Sequence, residues 1–137
     1  MVAVTGLTAA IFAQSVFLGP KTDVPTVVKE AFSKQFPGVK AKWENEHGTF
    51  EANFEKDGKE MSATFDATGT LLETETEVAV TELPTAAAEY VKTNYKSGIK
   101  EAAKITDSKG VVTYEAEVGK KDLIFDASGN FLRESND

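Results

Sequence analysis

The 137-residue chain has no cysteine and a single histidine, His47. The first absence excludes a disulfide framework, a thiolate metal site and a cysteine nucleophile; the second excludes a histidine-rich metal site. His47 lies in Asn45-Glu46-His47-Gly48 and reads as an exposed turn residue. Basic residues are in deficit, 15 Lys and Arg against 22 Asp and Glu for a net charge of −7. That balance argues against nucleic acid or an anionic membrane surface as a partner. Gly-x-Ser-x-Gly, phosphate-loop and His-Glu-x-x-His patterns are all missing, so the expectation is a non-enzyme with no catalytic residue, metal or cofactor. Closely spaced oxygen ligands of the Asp-x-Asp-x-Asp-Gly type are missing as well, which speaks against a calcium loop.

No long apolar run is present either. Residues 1–20 carry no charged side chain, and the first charge is Lys21. The apolar part, residues 1–15, is shorter than the roughly 20 residues a membrane-spanning helix needs. It has the character of the apolar core of an export signal, with a candidate cleavage point at Ala13-Gln14-Ser15. The basic flank of a full signal is missing. Residues 1–20 are therefore expected to be a signal-peptide remnant, with a mature start near Gln14 or Val16, the alternative being an N-terminal arm. No cysteine follows the segment to carry a lipid anchor, so no membrane anchor is expected.

What is present is a repeat. Phe65-Asp66-Ala67-Thr68-Gly69 returns as Phe125-Asp126-Ala127-Ser128-Gly129. Asp accepts backbone N–H bonds two residues on and Gly takes positive φ, so each copy reads as strand, tight turn, strand. The flanks repeat too. Val24-Pro25-Thr26 opens a helix whose apolar face is Val24, Val28, Ala31, Phe32 and Phe36, and Pro37-Gly38 ends it. Leu83-Pro84-Thr85 opens a second with Leu83, Ala87, Tyr90, Val91 and Tyr95, ended by Ser97-Gly98. After each helix the period changes to two. Val39, Ala41 and Trp43, then Phe50, Ala52 and Phe54, then Met61, Ala63 and Phe65 alternate with polar residues, with Asp57-Gly58 as a hairpin turn. Ile99 to Ile105, then Val112, Tyr114, Ala116 and Val118, then Leu123 and Phe125 follow in the second half. The reading is α+β: two αββββ repeats, residues 23–80 and 82–137, in one domain spanning 21–137. They form one antiparallel sheet of about eight strands with two helices on one face.

These residues resemble a known family. The opener Val24-Pro25 with Phe36-Pro37-Gly38, the alternating strands and the Phe65-Asp66-Ala67-Thr68-Gly69 turn, repeated by Leu83-Pro84 and Phe125-Asp126-Ala127-Ser128-Gly129, look like the PepSY-like proteins. That family is grouped on fold with the beta-lactamase inhibitor protein. The resemblance covers nearly everything from Val24 to Glu134, and its motifs are turns and caps, specific for fold and weak for activity. It implies helices on one face of a curved antiparallel sheet, bacterial export to the periplasm or beyond, and a protein- or peptide-binding, inhibitor-like role. No contact loop of the inhibitor is identifiable, so no inhibitor residue carries over.

The most unusual local feature is Glu73-Thr74-Glu75-Thr76-Glu77. At strand period all three glutamates share one face, roughly 7 Å apart, and Glu51 and Glu55 lie on the polar face of a neighbouring strand. One reading is an acidic docking face for a basic partner; the other is a solvated face that keeps the sheet soluble and blocks edge pairing. Residues 23–80 hold 12 acidic and 6 basic side chains, residues 82–137 hold 10 and 8, so the first repeat is the better candidate for a basic partner. Trp43 keeps core phase, yet would become an aromatic anchor if its strand were shifted. The expected binding residues are thus Glu51, Glu55, Glu73, Glu75, Glu77 and Trp43. The expected function is an exported, non-enzymatic, monomeric binding module for a protein or peptide of basic character. The alternative is a small-ligand or cation carrier of the cell envelope.

Overall fold

The computed structural model describes residues 23–136; the export-signal reading of residues 1–20 lies outside them. Helix α1 (Thr26–Gln35) precedes strands β1 (Lys42–Glu46), β2 (Thr49–Lys56), β3 (Lys59–Asp66) and β4 (Leu71–Val78). A 3-10 turn (Val80–Glu82) leads into α2 (Thr85–Asn94). Strands β5 (Ile99–Asp107), β6 (Val112–Val118), β7 (Lys121–Asp126) and β8 (Phe131–Asn136) complete the chain. All eight strands form one antiparallel sheet in sequence order. The two αββββ repeats join where β4 pairs with β5, Thr74 opposite Thr106 and Glu75 opposite Ile105.

Both helices pack on the same face of this sheet. Val24, Val28, Phe32 and Phe36 bury against Phe50, Ala52, Phe54, Ala63 and Phe65. Leu83, Ala87 and Val91 bury against Ala102, Ala116, Val118, Leu123 and Phe125. In each half an alanine pair, Ala52 opposite Ala63 and Ala102 opposite Ala116, lies in the sheet beneath the helix. These short side chains let the helix approach, and the aromatic rings fill the flanks. Phe32 meets Phe54 edge-on at 5.2 Å, while Tyr90 stacks on Phe131 at 4.6 Å. Such ring pairs add to the area they bury.

Element boundaries differ slightly from the sequence reading. Pro25 stands one residue before α1 rather than inside it, since its ψ of 141° is extended. Its carbonyl still begins the helix, accepting the Val28 N–H at 3.0 Å. Strand β4 stops at Val78 because the 3-10 turn follows, held by the Ala79 N–H donating to the Glu82 carboxylate at 2.7 Å. The repeated Asp turn occurs three times. Asp66, Asp107 and Asp126 each accept two backbone N–H bonds, from residues two and four further on, at 2.8–3.0 Å. Gly69, Gly110 and Gly129 take positive φ in them.

Only two of these glycines also touch a helix. A Cβ on Gly129 would lie 2.8 Å from the Ala87 nitrogen and 2.9 Å from Pro84 Cβ, and one on Gly69 would lie 3.0 Å from the Val27 carbonyl oxygen. At Gly110 there is open space. Gly110→Ala should therefore cost only the left-handed backbone penalty, about 1–2 kcal/mol. Gly129→Ala should cost that plus an overpacking term of about 1–3 kcal/mol, because α2 must move. Urea denaturation of the two variants checks the order; equal losses would mean that α2 does not rest on the turn.

Candidate functional site

With both helices on one side, the alternation of the strands sends the remaining side chains to the other. The register across β2 to β5 aligns Glu51, Thr64, Glu73 and Asp107, and the next row aligns Asn53, Ser62, Glu75 and Ile105. Glu77, Ala103, Glu115, Ile124 and Arg133 form a further row from β4 to β8. Acidic side chains stand directly opposite one another at Glu44 and Glu51, Glu55 and Glu60, Glu73 and Asp107, Glu101 and Glu117, and Glu117 and Asp122. Like charges at such positions are separated by only about 5 Å and destabilise the sheet.

The centre of this face is not solvated. Glu75 is 2% exposed, Glu51 4%, Glu115 2% and Asp122 1%, with Ser62 buried beside them. The solvated-face reading of the glutamate row therefore fails at its middle residue. Burial in apolar surroundings penalises the ionised carboxylate. Desolvation pushes Glu51 up to about 8, with the negative charges of Glu46, Glu44 and Glu73 adding to it and the Asn53 side chain opposing. Glu75 is raised well above the ordinary carboxylate range by desolvation first, then by Glu115, Glu51, Glu73 and Asp122. Glu73 is raised by desolvation, partly offset by Arg133. Burial and the neighbouring Glu117 bring Glu101 to about 7. Oε1 of Glu75 and Oε1 of Glu51 have no hydrogen-bond partner among the described residues.

Apolar residues are set among these acids. Ala103, Ile105 and Ile124 are buried, yet none belongs to the two cores beneath the helices. They alternate with the carboxylates: Ile105 pairs with Glu75, and Glu115 pairs with both Ala103 and Ile124. The face thus has an acidic and aliphatic centre with a charged, more open margin.

The sequence-predicted residues separate on this structure. Glu51, Glu73, Glu75 and Glu77 come together on the face. Glu55 shares the face but stands at its exposed end, opposite Glu60. Trp43 faces the other way, half-buried against the core with its ring 5.4 Å from Phe32 and 6.2 Å from Phe65, and so is not on the acidic face. The acidic cluster also extends into the second repeat through Glu115 and Asp122, which sequence reasoning missed. The alternation of Val112, Tyr114, Ala116 and Val118 does imply an outward Glu115. Asp122 was hidden at the head of the continuous run Leu123-Ile124-Phe125. Among the described residues no group of three or more His, Asp or Glu is arranged to hold a metal ion, and no helix is long and apolar enough to cross a membrane.

A family profile described as beta-lactamase-inhibitor-like, PepSY-like, matches residues 13–73 and, overlapping them, 48–133. The fold is shared with solved structures from Bacteroides. A DUF2874 family protein of Bacteroides uniformis superposes with a TM-score of 0.73 at 19% identity over 83% of this chain and 90% of that one. A Bacteroides eggerthii protein provisionally described as periplasmic gives 0.74 at 18% identity over 83% and 89%. A BLIP-like protein of Bacteroides fragilis gives 0.62 at 25% identity over 83% and 86%. No curated protein sequence matches the chain.

The raised carboxyls set a pH dependence of stability. The folded chain holds protons on Glu51 and Glu75 at pH values where the unfolded chain, titrating near 4.5, has released them. Their contribution is complete below about pH 4.5 and is lost as pH rises, for Glu51 through about 8. Thermal denaturation should therefore give a higher Tm at pH 5 than at pH 8. Glu51→Gln should flatten that slope and stabilise the protein at pH 8 by about 1–2 kcal/mol. A Tm that climbs steadily from pH 5 to 8 would show that these carboxyls are not desolvated.

Proposed function

The chain belongs to the beta-lactamase-inhibitor-like, PepSY-like family, and on that footing we propose that it is an exported, non-enzymatic module that binds a protein or peptide through the sheet face opposite the helices. The observation that carries this reading is the set of cross-strand acidic pairs joined to buried carboxylates on that face. An arrangement that weakens the free sheet is accounted for when a partner supplies further counter-charge. The open side of the sheet is also where a partner could lie without disturbing either helix. Glu51, Glu73, Glu75 and Glu77 are the binding residues in this reading, with Glu55 at the margin. Residues 21–137 act as one binding domain. The BLIP-like fold of the Bacteroides fragilis relative favours protein binding over catalysis, and the provisional periplasmic description of the Bacteroides eggerthii structure supports export.

The test is affinity capture from the bacterial envelope and secreted fractions with the wild type and with a Glu73→Gln, Glu75→Gln, Glu77→Gln triple variant. Glutamine keeps the side-chain volume and removes the charge. The wild type should retain a partner that the triple variant loses by at least tenfold, while Lys92→Ala on α2 leaves capture unchanged. Equal capture by the triple variant would remove this face from the function.

A further inference from the structure

The binding-face reading leaves the chemistry of the partner open, and the centre of the face narrows it. Glu73, Glu75 and Glu77 repeat at the period of an extended strand, with side chains roughly 7 Å apart on one face. An extended peptide presents its own side chains at i, i+2 and i+4 with the same repeat. The flanking row is aliphatic where the glutamates are central: Ile105 stands opposite Glu75 and Ala103 opposite Glu77. Oε1 of Glu75, on a side chain 2% exposed, has no hydrogen-bond partner among the described residues. A buried carboxylate oxygen left in this state costs stability that a cationic donor recovers.

The other charges around Glu75 do not supply that donor. Glu51 on β2, Glu60 on β3, Glu73 and Glu77 on β4, Glu101 and Asp107 on β5, Glu115 and Glu117 on β6 and Asp122 on β7 are all acidic. Among the described residues, the cations on this face are Lys42 at the exposed end of the β1 row and Arg133 on β8, the latter acting on Glu73. Lys100 approaches Glu117 at 3.7 Å, well exposed and at the margin.

We propose that the face takes an extended cationic peptide segment in which lysine or arginine alternates with aliphatic residues. Resting on the binding-face reading above, this assigns a central cation to Glu75 with Glu51 and Glu73 around it, and aliphatic neighbours to Ala103, Ile105 and Ile124. A polycation without apolar side chains satisfies only half of the face, and an apolar peptide leaves the carboxylates as they are. Bringing a cation to Glu75 favours its ionised form, so binding at near-neutral pH expels a proton to solvent.

Isothermal titration of the full chain with an end-blocked Lys-Val-Lys-Val-Lys peptide tests this, with Lys-Gly-Lys-Gly-Lys and spermidine as comparison ligands. The alternating lysine–valine peptide should bind at least tenfold more tightly than either comparison. Its affinity should rise from pH 5 to pH 8, with proton release read from the buffer dependence of the heat. Glu75→Gln should weaken it at least tenfold, and Lys92→Ala, on α2 and away from the face, by less than twofold. Equal affinity for spermidine or the glycine peptide would overturn the aliphatic half of the assignment, and unchanged affinity in Glu75→Gln would overturn the cationic half. No binding of the peptide, whether because the face is filled by another segment of this chain or for any other reason, would also overturn it. If the captured envelope partner still depends on the glutamates, the inference falls and the binding-face reading stands. If capture is independent of them, that reading falls by itself.

Discussion

Val28 and Phe32 settle against Phe54, Phe65 and the Ala52–Ala63 pair, and Ala87 and Val91 settle in the same way against Phe125, Leu123 and the Ala102–Ala116 pair. The register carries Ala63 through Thr74 to Thr106, in phase with Ala102, so these two contacts fall on the same side of the continuous sheet. An antiparallel sheet with one covered face alternates buried and outward residues along every strand, so the position of the helices dictates the composition of the other face. The outward sets are mostly acidic or small and polar, apart from the aliphatic Ala103, Ile105 and Ile124 and the cations Lys42 and Arg133.

That constraint makes the electrostatics collective. No single glutamate here is unusual in sequence; the register brings them together. Glu75 is raised first by its own burial and then by carboxylates from β2, β4, β6 and β7. The desolvation of one acid near several others drives it toward the protonated form. The face is therefore held in a state that depends on solvent pH and on the presence of counter-charge. The helices and their turns contribute rigidity: Gly129 and Gly69 bring the Asp turns into contact with the first turns of α2 and α1, tying the sheet's rim to the layer above it.

The Asp turns themselves illustrate how a chemical signal can mislead. Asp with a nearby Gly invites a metal or catalytic interpretation. In all three turns one carboxylate oxygen is used by backbone N–H groups, and Asp66 and Asp126 are lowered first by the side-chain bonds from Thr68 and Asn130 and then by backbone bonds of these turns. These acids are occupied in holding loops, whereas Glu75 and Glu51, on strands whose sequence resembles an ordinary polar face, are left without a hydrogen-bond partner at Oε1 among the described residues.

Local chemistry determined most of the architecture. Periodicity of 3.6 and then 2, Pro before each helix and Gly at each turn marked the two helices and nearly every strand. The duplicated Phe-Asp-Ala-Thr/Ser-Gly turn marked the repeat, because such signals act within a few residues of the chain. They also placed Glu73, Glu75 and Glu77 on one face. Burial and cross-strand pairing were decided by the tertiary structure alone. Whether Glu75 faces water, whether Trp43 packs beneath α1, and whether Glu115 and Asp122 from the second repeat join acids of the first all depend on the β4–β5 seam and on which side both helices lie. Those contacts join residues far apart in the chain, and no local pattern encodes the desolvation they impose.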